Sequence, residues 1–553
     1  MAIELSNLTF TDQDDVVPAS GVKEIVLNTG VANTLAGNDT ITGTAAGGDA
    51  SKYGLFNSGT LNTAEGNDSI TGTSDSNGLF NSGTFNTAEG NDTITGTGLY
   101  GDGLDNTGTF NTGEGNDSIR AVGGGIGDGL TNTGTFNTGE GNDTITAGGR
   151  GAGLITSGTF NTGEGDDVIT SASRFTAISI GGIFDTGDGN DRISGTTTLS
   201  FGSGIYNHSS STFNTGDGND TIEGLGASGI TNKGLINTGN GKDIIFADKQ
   251  FEQIISIENF STIDTGDDDD IITGNNGISN KGNIDTGNGD DSITVAFFGS
   301  GVLKNFNAIE TGEGNDIITS SGVYHDGTAI TTHQAISNDG TINTGNGQDS
   351  IISEGNFTNR GGVFLGEGND SITASIIAKV GLPNRALENF NAIETGDGKD
   401  IITSTGVIYN EGVINTGNGD DSIIVDGGVN GTGAGYGIYN NGGAINMGDG
   451  NDSIIAHEGF ESGSNSSGAW FLGEGDDYIK GYGSGDFYGG NGNDTLELTP
   501  GTYTVGLWGE GGESPILTKG NQLMITSEFE KLIAGGTIYD FTSLTAGQII
   551  IVA

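Results

Sequence analysis

The stretch Asn137-Thr138-Gly139-Glu140-Gly141-Asn142-Asp143-Thr144-Ile145-Thr146 recurs with small variations along most of this chain of 553 residues. Between Asp39 and Asp477 its Asp returns every 21 to 33 residues, with a centre near 25. Such a spacing is typical of a repeat protein, in which each unit is one turn of a stacked structure. The matching positions are Asp39, Asp68, Asp92, Asp117, Asp143, Asp167, Asp191, Asp220, Asp243, Asp270, Asp291, Asp316, Asp349, Asp370, Asp400, Asp421, Asp452, Asp477 and Asp494.

The apolar residues follow the same repeat. Within one unit they stand at Leu130, Phe136, Ile145 and Leu154, in steps of 6, 9 and 9 residues, which contain no helical period. Short strands separated by Gly, Asn and Thr turns fit these steps. Because three or four apolar residues cannot form a core alone, we expect coils to stack about 4.8 Å apart around a shared interior. The prediction is an all-β, right-handed parallel β-solenoid of about 18 coils.

An apolar residue, any residue and then Asn precede most of the Asp loops. We expect this Asn to stack on its counterpart in the next coil as an internal amide ladder. The alternative is that it is simply a turn residue of each repeat. Clear copies are Leu55-Phe56-Asn57, Leu79-Phe80-Asn81, Leu130-Thr131-Asn132, Ile278-Ser279-Asn280, Ile336-Ser337-Asn338 and Ile438-Tyr439-Asn440.

Composition excludes several classes of function. Acidic residues outnumber basic ones 72 to 18, for a net charge of −54, which argues against nucleic acid and anionic membrane surfaces as partners. There are 107 Gly, 4 Pro and no Cys, so neither collagen nor a disulfide framework is predicted. No cationic and apolar leader opens the sequence, and no run of about 18 apolar residues predicts a membrane-spanning helix. We therefore expect no membrane insertion.

The loop itself predicts a metal site. Its glycines permit a tight turn, and its Asp supplies a carboxylate, with no His or Cys nearby. Ligand sets made of oxygen alone suit Ca²⁺, which accepts flexible geometry, better than Mg²⁺. The predicted cofactor is therefore Ca²⁺, in several copies.

Electrostatics supports the same prediction. Stacked coils would place one Asp about every 5 Å along an edge, and each like-charged pair would cost about 3 kcal/mol at an effective dielectric constant of 20. Summed over the array, this repulsion rivals the 5–15 kcal/mol that stabilise a typical domain. Ca²⁺ between the loops would remove it, so we expect metal binding to drive folding. The alternative is a solvated acidic edge neutralised by diffuse counterions.

One segment resembles a known family. Gly489-Gly490-Asn491-Gly492-Asn493-Asp494-Thr495-Leu496-Glu497 matches the hemolysin-type (RTX) nonapeptide, and Leu472–Ile479 and Gly481–Asp486 precede it at short steps. The resemblance extends more loosely over residues 33 to 498. It implies that the loop Asp residues, with Asp486 added, bind Ca²⁺ between neighbouring turns. It also implies secretion by a bacterial, Gram-negative or cyanobacterial, type I system that reads an uncleaved C-terminal signal.

The chain also departs from that family. It has one loop in each coil of about 25 residues instead of two in each turn, so we expect a single metal-carrying edge and two faces closed by ordinary β-packing. Four loops are expected to bind weakly or not at all, because they carry Ala36, Lys242, Asp268 or Lys399 at unusual positions.

The predicted organisation is an N-terminal cap over 1–33, long coils over 34–471, the nonapeptide run over 472–498, and a β-rich C-terminal cap with a secretion signal over 499–553. We expect a strand at Lys23–Asn28 in the first of these.

The predicted function is a secreted or cell-surface calcium-binding structural protein, as a rod, matrix, sheath or fibre component, without enzymatic activity. Its expected partners are Ca²⁺, further copies of itself or a cell-surface polysaccharide. The alternatives are a polysaccharide lyase or epimerase with a β-helix body, and an adhesin or ice-binding rod. Ice binding would need a flat row of Thr-x-Thr, which Arg120 interrupts.

Overall fold

The computed structural model describes residues 2–18, 25–45, 53–199, 201–249, 255–296, 301–325, 330–332, 334–376, 384–427, 435–463, 468–508 and 514–553. Regular structure in these residues is β-strand apart from two 3₁₀ turns, Leu5–Asn7 and Phe541–Ser543. Among them there is no helix with the length and apolar character that a membrane span requires.

The chain forms two compact units, which are described separately. The first contains residues 1–275 and 282–286, and the second contains residues 276–281 and 287–553. In both units consecutive coils pair strand to strand in parallel. The predicted parallel β-solenoid is thus confirmed.

Each full coil contributes one strand to each of three sheets. Sheet I holds the strands that end in the repeated Asn. In the first unit they are Ala2–Glu4, Ile25–Asn28, Leu55–Asn57, Leu79–Asn81, Leu104–Asn106, Leu130–Asn132, Leu154–Thr156, Ile178–Ile180, Ser203–Asn207, Ser228–Asn232 and Ile257–Asn259. In the second unit they are Ile278–Asn280, Leu303–Asn305, Gln334–Asn338, Asn356–Asn359, Arg385–Asn389, Val407–Asn410, Ile438–Asn440 and Phe460–Ser462.

Sheet II holds the short strands that lead into the Asp loops and, at the C-terminal end, four strands that follow the last loop. In the first unit they are Val31–Asn33, Thr60–Asn62, Thr84–Asn86, Thr109–Asn111, Thr135–Asn137, Thr159–Asn161, Ile183–Asp185, Thr212–Asn214, Leu235–Asn237, Thr262–Asp264 and Asn283–Asp285. In the second unit they are Ala308–Glu310, Thr341–Asn343, Gly362–Phe364, Ala392–Glu394, Val413–Asn415, Ala444–Asp449, Ala469–Glu474, Gly485–Asn491, Gly501–Trp508, Ser514–Lys519, Gln522–Ser527 and Ile549–Val552.

Sheet III holds the strands that follow the Asp loops. In the first unit they are Val16–Val17, Thr40–Ala45, Ser69–Ser74, Thr93–Gly98, Ser118–Gly123, Thr144–Gly149, Val168–Ser173, Arg192–Thr197, Thr221–Gly226, Ile244–Lys249 and Ile271–Gly274. In the second unit they are Ser292–Val295, Ile317–Ser321, Ser350–Glu354, Ser371–Ser375, Ile401–Ser404, Ser422–Val425, Ser453–Ala456, Tyr478–Lys480, Thr495–Leu498, Lys531–Ala534 and Thr537–Asp540. A separate antiparallel pair, Val323–His325 and Ile330–Thr332, also belongs to this unit.

The core is a set of vertical columns. Leu104, Phe110 and Ile119 come from the three sheets of one coil and are at most 1% exposed. Phe110 stacks on Phe85 and on Phe136 with ring centroids 4.5 and 4.7 Å apart and nearly parallel planes. The predicted stacking of sparse apolar residues is therefore what encloses the interior, at the coil spacing expected for parallel strands.

The repeated Asn forms the predicted ladder. Asn81 is fully buried, and its Nδ2 donates to Oδ1 of Asn106 at 2.8 Å and to the main-chain carbonyl of Thr109 at 2.8 Å. Asn106 repeats the pattern toward Asn132. Each amide thus links its own coil to sheets I and II of the next one. In the first unit Ile180 stands at a ladder position that Asn fills in most coils.

Both ends of the chain differ from the coils between them. Ile25–Asn28 confirms most of the strand predicted at Lys23–Asn28, although Lys23 and Glu24 lie outside the described residues. It pairs in parallel with Leu55–Asn57, so the chain already forms a coil before residue 33. At the other end, antiparallel pairing begins at Gly501–Trp508.

Glycine is required where successive Asp loops touch. Gly115 has φ +134°, and a Cβ there would lie 2.0 Å from the carbonyl oxygen of Gly90 in the preceding coil. Gly148 lies in a strand of sheet III, where the nearest atom to an added Cβ is 3.9 Å away. The loops therefore exclude a methyl group that the neighbouring sheet accepts.

We expect Gly115→Ala to lower the free energy of unfolding by about 2 kcal/mol or more, since it combines a clash with an unfavourable φ. The matched control Gly148→Ala should change it by no more than about 0.5 kcal/mol. Denaturant unfolding in millimolar Ca²⁺, followed by circular dichroism, measures both. Equal midpoints for the two variants would contradict the close loop stacking.

Candidate metal-binding loops

The predicted Asp residues lie at one corner of the coil, between sheets II and III. Every loop Asp from Asp39 to Asp494 is buried, at no more than 2% exposure, and immediately precedes a strand of sheet III. Coil stacking aligns them into what we call the Asp column, one in each unit. The column is buried because each loop covers the carboxylate of its neighbour.

Each column carboxylate uses one oxygen to join two coils. The backbone N–H of Asp117 donates to Oδ1 of Asp143 at 2.7 Å, and that of Asp143 donates to Oδ1 of Asp167 at 2.7 Å. The same bond, at 2.7 to 2.9 Å, runs from Asp39 to Asp270 in the first unit and from Asp291 to Asp494 in the second. A main-chain donor thus fixes every carboxylate in one orientation.

The second carboxylate oxygen is usually left without a partner. In most coils Oδ2 is buried and receives no hydrogen bond. Asp316 differs, since its Oδ2 accepts a bond of 2.6 Å from the hydroxyl of Thr311. The orphaned oxygens belong to Asp39, Asp68, Asp92, Asp117, Asp143, Asp167, Asp191, Asp220, Asp243, Asp349, Asp370, Asp400, Asp421, Asp452, Asp477 and Asp494.

Burial of these carboxylates disfavours their charged form. Desolvation raises the pKa of Asp143 to about 7 and that of Asp191 to about 8. The nearby Thr186 hydroxyl and the backbone N–H of Asp167 oppose the shift at Asp191, while the charges of the column neighbours Asp167 and Asp220 raise its pKa further. A buried carboxylate with a raised pKa is stable either in its protonated form or as an anion neutralised by a bound cation.

A second ladder runs on the solvent side of the loops. Oδ1 of Asn91 accepts the backbone N–H of Asn116 at 2.7 Å, and Oδ1 of Asn116 accepts that of Asn142 at 2.8 Å. Here the donor lies in the later coil, which reverses the direction of the buried column. The two ladders hold each loop from both sides.

The carboxylates of the Asp column are suitable ligands for a hard divalent cation. Their orphaned donors are carboxylate oxygens, the type that Ca²⁺ prefers. Among the described residues no three Asp, Glu, His or Cys side chains converge on one point. A bound ion would therefore need main-chain carbonyls and water to complete its ligand set, which is usual for Ca²⁺ in Gly-rich loops.

The structure separates Asp486 from the other predicted ligands. Asp486 lies inside the sheet II strand Gly485–Asn491, in register with Ala469. It occupies a strand position because the coil between Asp477 and Asp494 is only 17 residues long and contains a single loop. Asp486 is consequently not part of the Asp column.

The four loops with unusual residues still contribute to the column. Asp243 and Asp400 keep the bond to the next Asp, and the neighbouring Lys242, with its side chain 62% exposed, pairs with Asp269. Asp268 adopts φ +88° at a position where glycine is usual. These substitutions alter the solvent side of the loop more than the buried corner.

Two partners of the column lack the repeat motif. Before the first loop, the backbone N–H of Asp15 donates to Oδ1 of Asp39 at 2.8 Å. After the last, Oε2 of Glu530 accepts the N–H of Asp494 at 2.7 Å. Neither residue was predicted, because only the three-dimensional stacking brings them to the column.

The outer face of sheet II carries a second regular array. The strands Thr60–Asn62, Thr84–Asn86, Thr109–Asn111, Thr135–Asn137 and Thr159–Asn161 pair in register and point Thr and Asn outward, so that they line an open trough of about 660 Å³. Nδ2 of Asn111 donates to Oδ1 of Asn86 at 2.7 Å. We call this array the Thr/Asn face. The recurrence of Thr-Phe-Asn in the sequence is the signal that could have revealed it.

Comparisons with known proteins add little. No family model matches the chain, and no curated protein matches it. A solved structure described as a hyperactive, Ca²⁺-dependent, β-helical antifreeze protein from an Antarctic bacterium is 19% identical, with coverage of 68% of this chain and 83% of that one. The TM-score is 0.32. A likeness at this score supports no inference about this chain.

The raised pKa values predict how the metal-free protein responds to pH. Between about pH 4, where an unfolded Asp titrates, and about pH 7, the folded chain binds more protons than the unfolded chain. Its stability is therefore greatest in acid and falls as the pH rises through the folded-state pKa. Thermal melts of dialysed, calcium-free protein should show a folded baseline and a melting transition at pH 4.5, and a lower midpoint or no folded baseline at pH 8. A higher midpoint at pH 8 would contradict the burial of unpartnered carboxylates.

Proposed function

We propose that this chain is a calcium-binding structural β-solenoid that acts outside the cell, as part of a surface layer, matrix or sheath, and that folds when it binds Ca²⁺. The observation that carries the proposal is the Asp column with its orphaned Oδ2 atoms. One buried anionic oxygen in nearly every coil is costly for a metal-free fold. Divalent cations between the loops would neutralise it and use the Gly-rich turns as additional ligands.

The coupling of Ca²⁺ binding to folding supports a location outside the cell. Metal binding becomes folding free energy when the site exists only in the folded state. A chain with net charge −54 would stay extended at low Ca²⁺ and compact where Ca²⁺ is abundant, as it is outside cells. Export before folding, as in the proteins that the Gly489–Glu497 segment resembles, would suit such a chain.

Replacing two neighbouring carboxylates tests the column directly. Asp143→Asn combined with Asp167→Asn should lower the number of Ca²⁺ ions bound per chain, measured by equilibrium dialysis with elemental analysis. The same change should raise the stability of the metal-free chain, because it removes two buried charges. The matched control is Glu140→Gln, an exposed carboxylate in the same loop, which should leave the ion count nearly unchanged.

Two outcomes would count against the proposal. One is a wild-type chain that binds no Ca²⁺ in millimolar calcium. The other is a circular dichroism spectrum that is the same in chelator and in calcium, which would mean that the fold does not depend on the metal.

The Thr/Asn face supports a second candidate function, the binding of ice. Thr109 and Asn111 lie two residues apart on one strand, with equivalents in the adjacent coils. Hydroxyl and amide groups then repeat about 4.8 Å apart across the strands and about 6.6 Å apart along them. Such a regular polar lattice can hold ordered water. The predicted Thr-x-Thr row lies on sheet III instead, where Arg120 pairs in register with Thr95 and Thr146.

Ice binding is tested by thermal hysteresis and by ice-crystal shape. If the Thr/Asn face binds ice, Thr109→Tyr should remove most of the activity, because the bulky tyrosine ring interrupts the regular array of Thr and Asn side chains. The control Thr146→Tyr, also at an exposed Thr but on sheet III, should have no effect. An inactive wild-type chain, or equal loss in both variants, would exclude this face as an ice-binding surface.

A further inference from the structure

The outer face of sheet I in the first unit contains a cleft with aromatic and polar side chains in its lining. It has a volume of about 360 Å³ and is lined by residues of three successive coils. Tyr206, Thr231 and Glu258 occupy equivalent strand positions on the same face. The cleft is thus built on the rigid sheet, with turns on either side.

Exposed aromatic rings border the cleft. Phe201 is 58% exposed and Phe260 is 40% exposed. Phe175 lies beside Phe201, with ring centroids 5.6 Å apart, and Tyr206 also lines the cleft. Exposed apolar groups gathered around a concave site mark ligand-binding surfaces more often than isolated ones do.

Polar groups converge among these rings. Nζ of Lys233 lies 2.5 Å from the hydroxyl of Tyr206, 5.0 Å from the Tyr206 ring centroid and 5.7 Å from that of Phe260. Hydroxyls of Ser203 and Ser228 lie within 3.2 Å of the Thr231 hydroxyl. The site therefore offers an ammonium group, a phenol and several hydroxyls beside apolar ring faces.

We propose that this cleft binds a neutral hexose polysaccharide. A sugar ring presents apolar C–H faces that pack on aromatic rings and hydroxyls that reach polar groups at the rim. A hexose unit is also similar in length to the separation of two coils, so successive units can meet equivalent positions of the sheet. The shape and chemistry of the lining match such a chain.

The charges of the cleft lining and of the whole chain favour an uncharged glycan over an anionic one. The lining contains one cation, Lys233, and one carboxylate, Glu258. It offers no net positive charge to offset the repulsion between a polyanion and a chain of net charge −54. Uronate and sulfated polymers are therefore disfavoured. The inference requires only a folded chain, so its failure would leave the calcium proposal intact.

Affinity electrophoresis of the full chain in millimolar Ca²⁺ tests the inference, with dextran, mannan, galactan and a β-glucan as neutral hexose probes and alginate and polygalacturonate as anionic ones. We expect at least one neutral polymer to retard the wild-type protein. Phe201→Ala combined with Phe260→Ala should weaken that retardation by about tenfold or more, because it removes two exposed ring faces on which a sugar would pack.

The control Phe471→Ala removes a ring of 41% exposure from sheet II, where it stacks on Tyr488, and should retain full retardation. Circular dichroism in Ca²⁺ verifies that each variant folds. Should the double variant fail to fold, Glu258→Gln, which keeps the size of an outward side chain, should still change affinity for the neutral polymer. Retardation by the anionic polymers alone, by none of the probes, or equally in wild type and cleft variants would overturn the proposal.

Discussion

Like charges held in line are the constraint on which the rest of this structure depends. Each coil places one carboxylate at the same buried corner, and the bond from the preceding backbone N–H fixes its orientation. The three sheets, the stacked Phe rings and the Asn ladder set the spacing between coils, and that spacing also sets the distance between the charges. Closer packing of the core therefore increases the repulsion along the column, unless a proton or a divalent ion neutralises it. The spacing between coils therefore determines both the packing of the core and the distance between the carboxylates that would bind a metal.

The outer faces of sheets I and II carry different candidate binding surfaces. Sheet II presents the regular Thr/Asn face, while sheet I carries the cleft around Tyr206 and Lys233. Inward residues are nearly uniform, because every coil must fill the same columns. Outward residues are free to vary from coil to coil, so specific binding is more readily encoded on the faces than in the core or the loops.

Much of this architecture could be predicted from spacing alone. The recurrence of Asp143 and its equivalents predicted parallel coils with a single loop-bearing corner, and Asn81 and Asn106 form the expected ladder. Spacing could not place Asp486, because the motif around it reads as a loop while the short coil makes it a strand. It also could not identify Glu530 or the cleft, since their neighbours come from other coils and only stacking brings them together.

The hydrogen bonds of each Asp column all point one way, which makes the start of a column chemically different from its end. The first loop needs a donor, which the N–H of Asp15 provides, and the last needs an acceptor, which the carboxylate of Glu530 provides. Each coil between Asp39 and Asp243 in the first unit, and between Asp316 and Asp477 in the second, supplies one of each. Whole coils within a unit can therefore be gained or lost by recombination while Asp15 still begins the first column and Glu530 still ends the second. In a chain built this way, the number of repeats can evolve independently of its ends.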